Sequence, residues 1–165
     1  MSFKTHEIEY LKAADLGRLA TIAPDGSLQN SPVGFSYNDE LGTIDISGYG
    51  MSKSRKYRNI ESNSTVAFVV DDIFSRDPWR VRCLEIRGTA ESAEAEPTTE
   101  ANGASDDDAG RGTSPAEESD HQLQELDTAI IRITPHRIIS FGIDDTETEP
   151  HLLKADSRDV PTTGS

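Results

Sequence analysis

The chain has 165 residues, an apolar fraction of 34% and a formal net charge of −14. That length predicts one domain, and the charge argues against non-specific binding to a nucleic-acid phosphate backbone. A single cysteine, Cys83, excludes an intrachain disulfide, and no apolar run approaches the ~20 residues that cross a bilayer.

The first residues, MSFKTHEIEYLK, lack the apolar stretch of a secretory signal, so the simplest reading is cytoplasmic. THEIEYLKAADL (5–16) predicts a short helix. Thr5 is its expected cap, Glu7 and Glu9 suit its positive end, and Ile8, Leu11 and Ala14 share a face. GRLATIA (17–23), the turn PDGS, LQNSPVGFSY (28–37), the turn NDELG and TIDIS (43–47) predict three strands of an antiparallel meander. Gly26 and Gly42 read as turn residues. Next comes a helix capped by Ser52 or Ser54 and running to Glu61, then a β-branched strand, STVAFVVDD (64–72). WRVRCLEIRGTAE (79–91) alternates, with Val81, Cys83 and Glu85 on one face and Arg82, Leu84 and Ile86 on the other; which face is buried stays open. AIIRITPHRIISFGI (129–143) is a further strand pattern, broken at Pro135.

Between the last two patterns, Glu91 to Asp127 holds 12 acids and one base, leaving a net charge of −3 on the rest of the chain. This stretch is poor in aromatic and β-branched residues. It cannot bury enough to offset its chain entropy, and we expect a disordered acidic insert at about 92–125. A loose polar tail is expected over 146–165. The remainder of 1–145 reads as a single mainly β domain, a closed or partly closed β-barrel of six or seven strands with flanking helices.

Lys53, Arg55, Lys56 and Arg58 fall within six residues of this acidic chain, at the start of the second predicted helix. Cations there oppose the helix dipole unless an anion is present. Lys53 and Lys56 share one helical face, Arg55 and Arg58 another. Three readings stand on the residues alone: a site for a phosphate-bearing ligand, a solvated helix pairing with the acidic insert, or an RNA surface. Aromatic interleaving is confined to Tyr49 and Tyr57, which weakens the last.

The order of LATIAPDGSLQNSPVGFSY, SKSRKYRNIESNSTVAFVVDD, LEIRGTAE and IIRITPHRIISFGI resembles the pyridoxamine-phosphate-oxidase-like split β-barrel family, and within it the branch that uses the deazaflavin coenzyme F420. The resemblance covers residues 5–91 and 128–143, and a tryptophan often stands in relatives where this chain has Phe141. It implies a homodimer with the cofactor in a groove between subunits. It implies phosphate binding by Lys53, Arg55 and Lys56, with Arg58 and Asn59 matching the same pattern. Asn30, Ser31, Pro32 and Val33 would lie along the ring system, Ser47 and Gly48 near the phosphate or ribityl chain, and Trp79 would wall the groove. The implied activity is hydride transfer between reduced F420 and an electron-poor double bond of a small organic substrate. FMN in the same groove is the alternative, as is a flavin or haem carrier without turnover.

Most of these residues also carry a purely structural reading. Pro32 marks an edge or bulge, Val33 a core position, Gly88 a bulge or close packing point, Trp79 a packing residue and Cys83 an inert thiol. His136 sits in a Pro-His turn without metal-ligand spacing. No dinucleotide fingerprint, P-loop, zinc or nucleophile-elbow motif is present. The sequence singles out no catalytic side chain; Tyr37, Tyr49 or a water are the candidates for a proton donor. No second basic cluster near the C-terminus offers a site for pyridoxamine phosphate as substrate.

Overall fold

A computed structural model describes residues 2–95 and 127–162. The proposed acidic insert lies outside them, except that 92–94 extend a strand. The elements are α1 (Thr5–Ala13), β1 (Leu16–Ile22), β2 (Leu28–Asn38), β3 (Thr43–Ile46), α2 (Arg55–Ser62), β4 (Thr65–Arg76), β5 (Trp79–Glu94), β6 (Ala129–Phe141) and β7 (Asp156–Asp159). Short 3-10 turns occupy Met51–Lys53 and Pro150–Leu152. The strands run β3-β2-β1-β4-β5-β6-β7, and β3 also pairs with β6, which closes six strands into a barrel. Every pairing is antiparallel.

Alternation explains the closure. Leu19, Val33, Ile44, Ile46, Val66, Phe68, Val70, Leu84, Ile86, Ile131, Ile133 and Ile138 are buried on the inner face, and Leu11 of α1 and Met51 before α2 join the same core. Burial decides the ambiguous β5 pattern: Leu84, Ile86 and Ala90 point inward, while Cys83, Glu85 and Arg87 look outward.

Three expectations change. The cap of α1 is Lys4, not Thr5; the Lys4 amide donates to the Glu7 carboxylate three residues on (2.8 Å). Pro135 does not break β6. Arg87 pairs with Arg137 and Gly88 with Pro135, so His136 is an extra residue in a β-bulge, not part of a turn. The chain after 145 is not simply a loose tail, because β7 adds to the edge of β6 through residues 137–140.

Gly88 is the close packing point expected of it. A Cβ there would stand 2.0 Å from the Thr134 carbonyl oxygen, which is backbone and cannot move aside. Gly88→Ala should therefore cost about 1–3 kcal/mol or more through overpacking, seen as a lower urea midpoint with an unchanged slope.

Candidate cofactor-binding site

The link from β3 to α2 is an exposed loop, Ser47 to Gly50, followed by the 3-10 turn. Gly50 has φ +58°, a left-handed conformation in which a side chain would be strained. Met51 plugs the barrel beneath the loop at 2% exposure. Of the two cap candidates, Ser54 caps α2: its hydroxyl accepts from the Tyr57 amide (3.3 Å). It also donates to the Met51 carbonyl (2.7 Å), tying helix to turn.

Asn59 anchors α2. Its buried side-chain amide donates to Thr21 Oγ1 on β1 (3.0 Å) and to Gln29 Oε1 on β2 (3.1 Å). Gln29 in turn donates to Ser31 Oγ (3.2 Å), so one hydrogen-bonded chain joins the basic helix to the second strand. Asn59 is thus a fixing residue rather than a ligand contact. Asn59→Ala would leave buried Thr21 short of a partner, and thermal unfolding should report a loss of about 1–3 kcal/mol.

Lys53, Arg55 and Arg58 are exposed and Lys56 is half-buried. None of the four forms an ion pair with a described residue. Lys4, Lys12, Arg18, Arg82, Arg87, Arg132, Arg137 and Arg158 all do. Among the described residues, the carboxylates that feel the cluster, Asp25 and Asp127, are held by other groups. Asp25 is stabilised as an anion by the Ser27 hydroxyl and amide first and by Arg55 least. Asp127 accepts from the Ser52 hydroxyl (2.5 Å) and amide (2.9 Å) and from the Ala129 amide (3.0 Å), with Lys53 a weaker influence. Four cations without carboxylate partners among the described residues, next to a loop with two glycines, fit a ligand that carries several negative charges.

On β2, Asn30 and Pro32 are exposed on the outer face, Ser31 is half-buried, and Val33 is 5% exposed within the core. Val33 is therefore a packing residue, and its side chain does not face a ligand. Ser47 and Gly48 lie in the exposed loop before the 3-10 turn. Trp79 is not brought to this region. It sits 56% exposed at the tip of the β4–β5 hairpin, opposite Arg76. Nine residues of strand, roughly 30 Å, separate it from Gly88 at the α2 end. Of the two tyrosines, Tyr37 packs edge-on against Phe3. Burial and then Asp39 push its phenol upward, with Lys12 opposing. Tyr49 is 69% exposed in the loop beside the cations. The Cys83 thiol is pushed up by burial and then by Glu85, which keeps it protonated and inert.

The fold and the sequence both have counterparts. The profile of the pyridoxamine 5'-phosphate oxidase family matches residues 5–140. The chain belongs to that family. A Streptomyces rimosus protein named 5a,11a-dehydrotetracycline/5a,11a-dehydrooxytetracycline reductase is 41% identical over 160 residues, covering 96% of this chain and 97% of its own. Among solved structures, a conserved hypothetical protein of Mycobacterium tuberculosis superposes with a TM-score of 0.57 at 20% identity, covering 85% of this chain and 84% of that one. A heme binding protein of Mycobacterium smegmatis superposes with a TM-score of 0.56 at 14% identity, covering 96% of this chain and 59% of that one. At such identities these two structures speak for the fold alone. The named relative makes this family member an oxidoreductase. No described helix is long and apolar enough to cross a membrane, and no described group of His, Cys, Asp or Glu is arranged to hold a metal ion.

Proposed function

We propose that the chain is a reductase that uses F420 to reduce a carbon–carbon double bond conjugated to a carbonyl, in a polycyclic small molecule of the tetracycline type. The observation that carries this is the 41% identity, end to end, with a relative named for reducing 5a,11a-dehydrotetracyclines. In this reading the protein is a homodimer with its cofactor groove between subunits. Lys53, Arg55 and Lys56 hold the cofactor phosphate and its anionic glutamate tail, with Asn30, Ser31 and Pro32 beside the ring.

Charge supports a deazaflavin over FMN. One phosphate needs one or two cations, whereas a phosphate with a polyglutamate tail matches four in six residues that have no ion-pair partner among the described residues. Chemistry points the same way. A deazaflavin carries hydride and reacts poorly with oxygen, so electrons reach the conjugated bond without leakage. The cofactor supplies the hydride, and the protein supplies binding and orientation.

The test is oxidation of reduced F420 by dehydrotetracycline with the purified protein, followed by absorbance, beside the same assay with reduced FMN. Turnover with F420 and not with FMN is the expected result. Turnover with FMN alone would move the cofactor assignment, and turnover with neither would end the reductase reading.

A further inference from the structure

On the outer face of the barrel, β1, β2, β4, β5 and β6 border a groove of about 380 Å³. Ala20, Leu28 and Ala67 give it an apolar floor; Arg87, Thr89 and His136 stand at its other side. Leu28 is 78% exposed, an apolar side chain with no cover from its own chain. Asn30 lies on the same face and pairs with Ala20, so the strip beside the cofactor ring runs directly into this floor. The volume lies within the ~300–1,000 Å³ typical of small-molecule sites.

The β-bulge is what sends His136 here. It is the extra residue opposite Arg87 and Gly88, and Gly88 permits the close strand approach because it has no Cβ. The carbonyl of His136 accepts from the Val160 amide (2.7 Å), which pins its backbone. Its Nε2 stands 3.4 Å from Thr89 Oγ1, which keeps the ring on the groove side. Arg87 is already held by Glu85 (2.6 Å), and a guanidinium does not give up a proton near neutrality. Thr89 has no readily transferable proton either. That leaves His136 as the group at this edge suited to acid chemistry.

We infer that this groove takes the planar polycyclic enone and that His136 supplies the proton that completes its reduction. The inference rests on the reductase reading above. In the balanced step the β-carbon receives a hydride from the reduced deazaflavin, and the π pair of the C=C bond moves onto the carbonyl as an enolate. The α-carbon then takes a proton from the protonated His136 ring, and the carbonyl re-forms. Solvent returns a proton to the imidazole. The substrate has gained a hydride and a proton, and the deazaflavin is oxidised by two electrons. The apolar floor suits the flat face of fused rings, and the polar side suits their line of oxygens.

Two variants and two readouts test this. Binding of oxytetracycline, followed by fluorescence without any cofactor, should weaken at least about tenfold in Ala67→Trp, which fills the floor. It should weaken about tenfold in His136→Ala through one lost charge-assisted hydrogen bond. In turnover, His136→Ala should lower kcat by about 10²–10⁴-fold, with partial recovery on adding imidazole. Thermal unfolding confirms that each variant is folded. Unchanged oxytetracycline binding in both variants overturns the groove assignment. A kcat close to that of the unsubstituted protein, or a loss that imidazole does not repair, overturns the proton role. If the unsubstituted protein binds the probe but reduces nothing, the reductase reading falls, and loss of binding in both variants still upholds the groove.

Discussion

Replacing Lys53, Arg55 and Lys56 together by alanine should remove F420 binding while leaving the protein as stable as before, or slightly more so. The two effects have opposite signs for one reason. The three cations stand in the turn before α2 and in its first turn, and none is paired with a described carboxylate. In the free protein they oppose the helix dipole, and among the described residues their only carboxylate influences are weak ones, of Arg55 on Asp25 and of Lys53 on Asp127. Alanine is also the better helix former at Arg55 and Lys56. With ligand bound, each is expected to make a charge-assisted hydrogen bond worth about 1.5 kcal/mol, or roughly tenfold in affinity. Three together reach about a thousandfold if they add, and somewhat less if they share one phosphate. Lys56→Ala alone should cost roughly tenfold and flatten the salt dependence of binding. Equilibrium titration at two ionic strengths, beside thermal unfolding, reads both sides. If the triple variant bound F420 as tightly as the unsubstituted protein, the cluster would be a solvated helix face and the cofactor would lie elsewhere.

The strands were legible because each was bracketed by turn chemistry. PDGS and NDELG delimit β1, β2 and β3 to within a residue or two. The basic cluster was legible from charge contrast alone, and the structure adds that its members lack ion-pair partners among the described residues while most other cations have them. What stayed hidden depends on pairing distant in sequence. Nothing local marks Pro135 as tolerable in β6, because the tolerance comes from Gly88 on another strand. His136 consequently read as a turn residue, and its place at the groove emerged only with the bulge. A glycine in one strand pattern opposite a Pro-His pair in another is the signal that could have pointed to it. Trp79 followed from the resemblance, yet its own subunit keeps it at the far end of the hairpin. A role for it at the site requires a second subunit. Val33 shows the limit of carrying a motif over residue by residue: alternation along β2 turns it inward while Asn30 and Pro32 face out.

Glu7 is the other place where sequence was silent, and Arg158→Ala should expose its importance as the largest single loss of stability. Glu7 is fully buried in α1, at a position that charge patterning marked only as suiting the positive end of the helix. Its carboxylate accepts from both Arg158 guanidinium nitrogens (2.9 and 2.5 Å) and from the Lys4 amide (2.8 Å). Arg158 also donates to the Ser2 carbonyl (2.9 Å) and to Asp156 (3.1 Å). Residues 151 apart thereby fasten the N-terminal helix to β7, which explains why the C-terminal segment is ordered. Removing the arginine leaves a buried charge uncompensated, at about 3–5 kcal/mol. Replacing both partners by apolar residues, Glu7→Leu with Arg158→Met, should recover most of that. Acidity separates the cases further. Burial by itself would raise the Glu7 carboxyl, but the Arg158 guanidinium and the Lys4 amide outweigh it and hold it below the ordinary carboxylate range. The unfolded chain then binds the proton more readily. The ion pair's contribution is full above about pH 4.3 and is lost as pH falls through the lower folded value. In Arg158→Ala burial, the Lys4 amide and the Ser140 hydroxyl remain, and where burial wins the carboxyl rises and the folded state takes the proton first. Urea unfolding from pH 7 downward should show the unsubstituted protein weakening on acidification while the deficit of the variant shrinks. A deficit that stayed constant with pH would mean that Arg158 acts through packing rather than through the Glu7 charge.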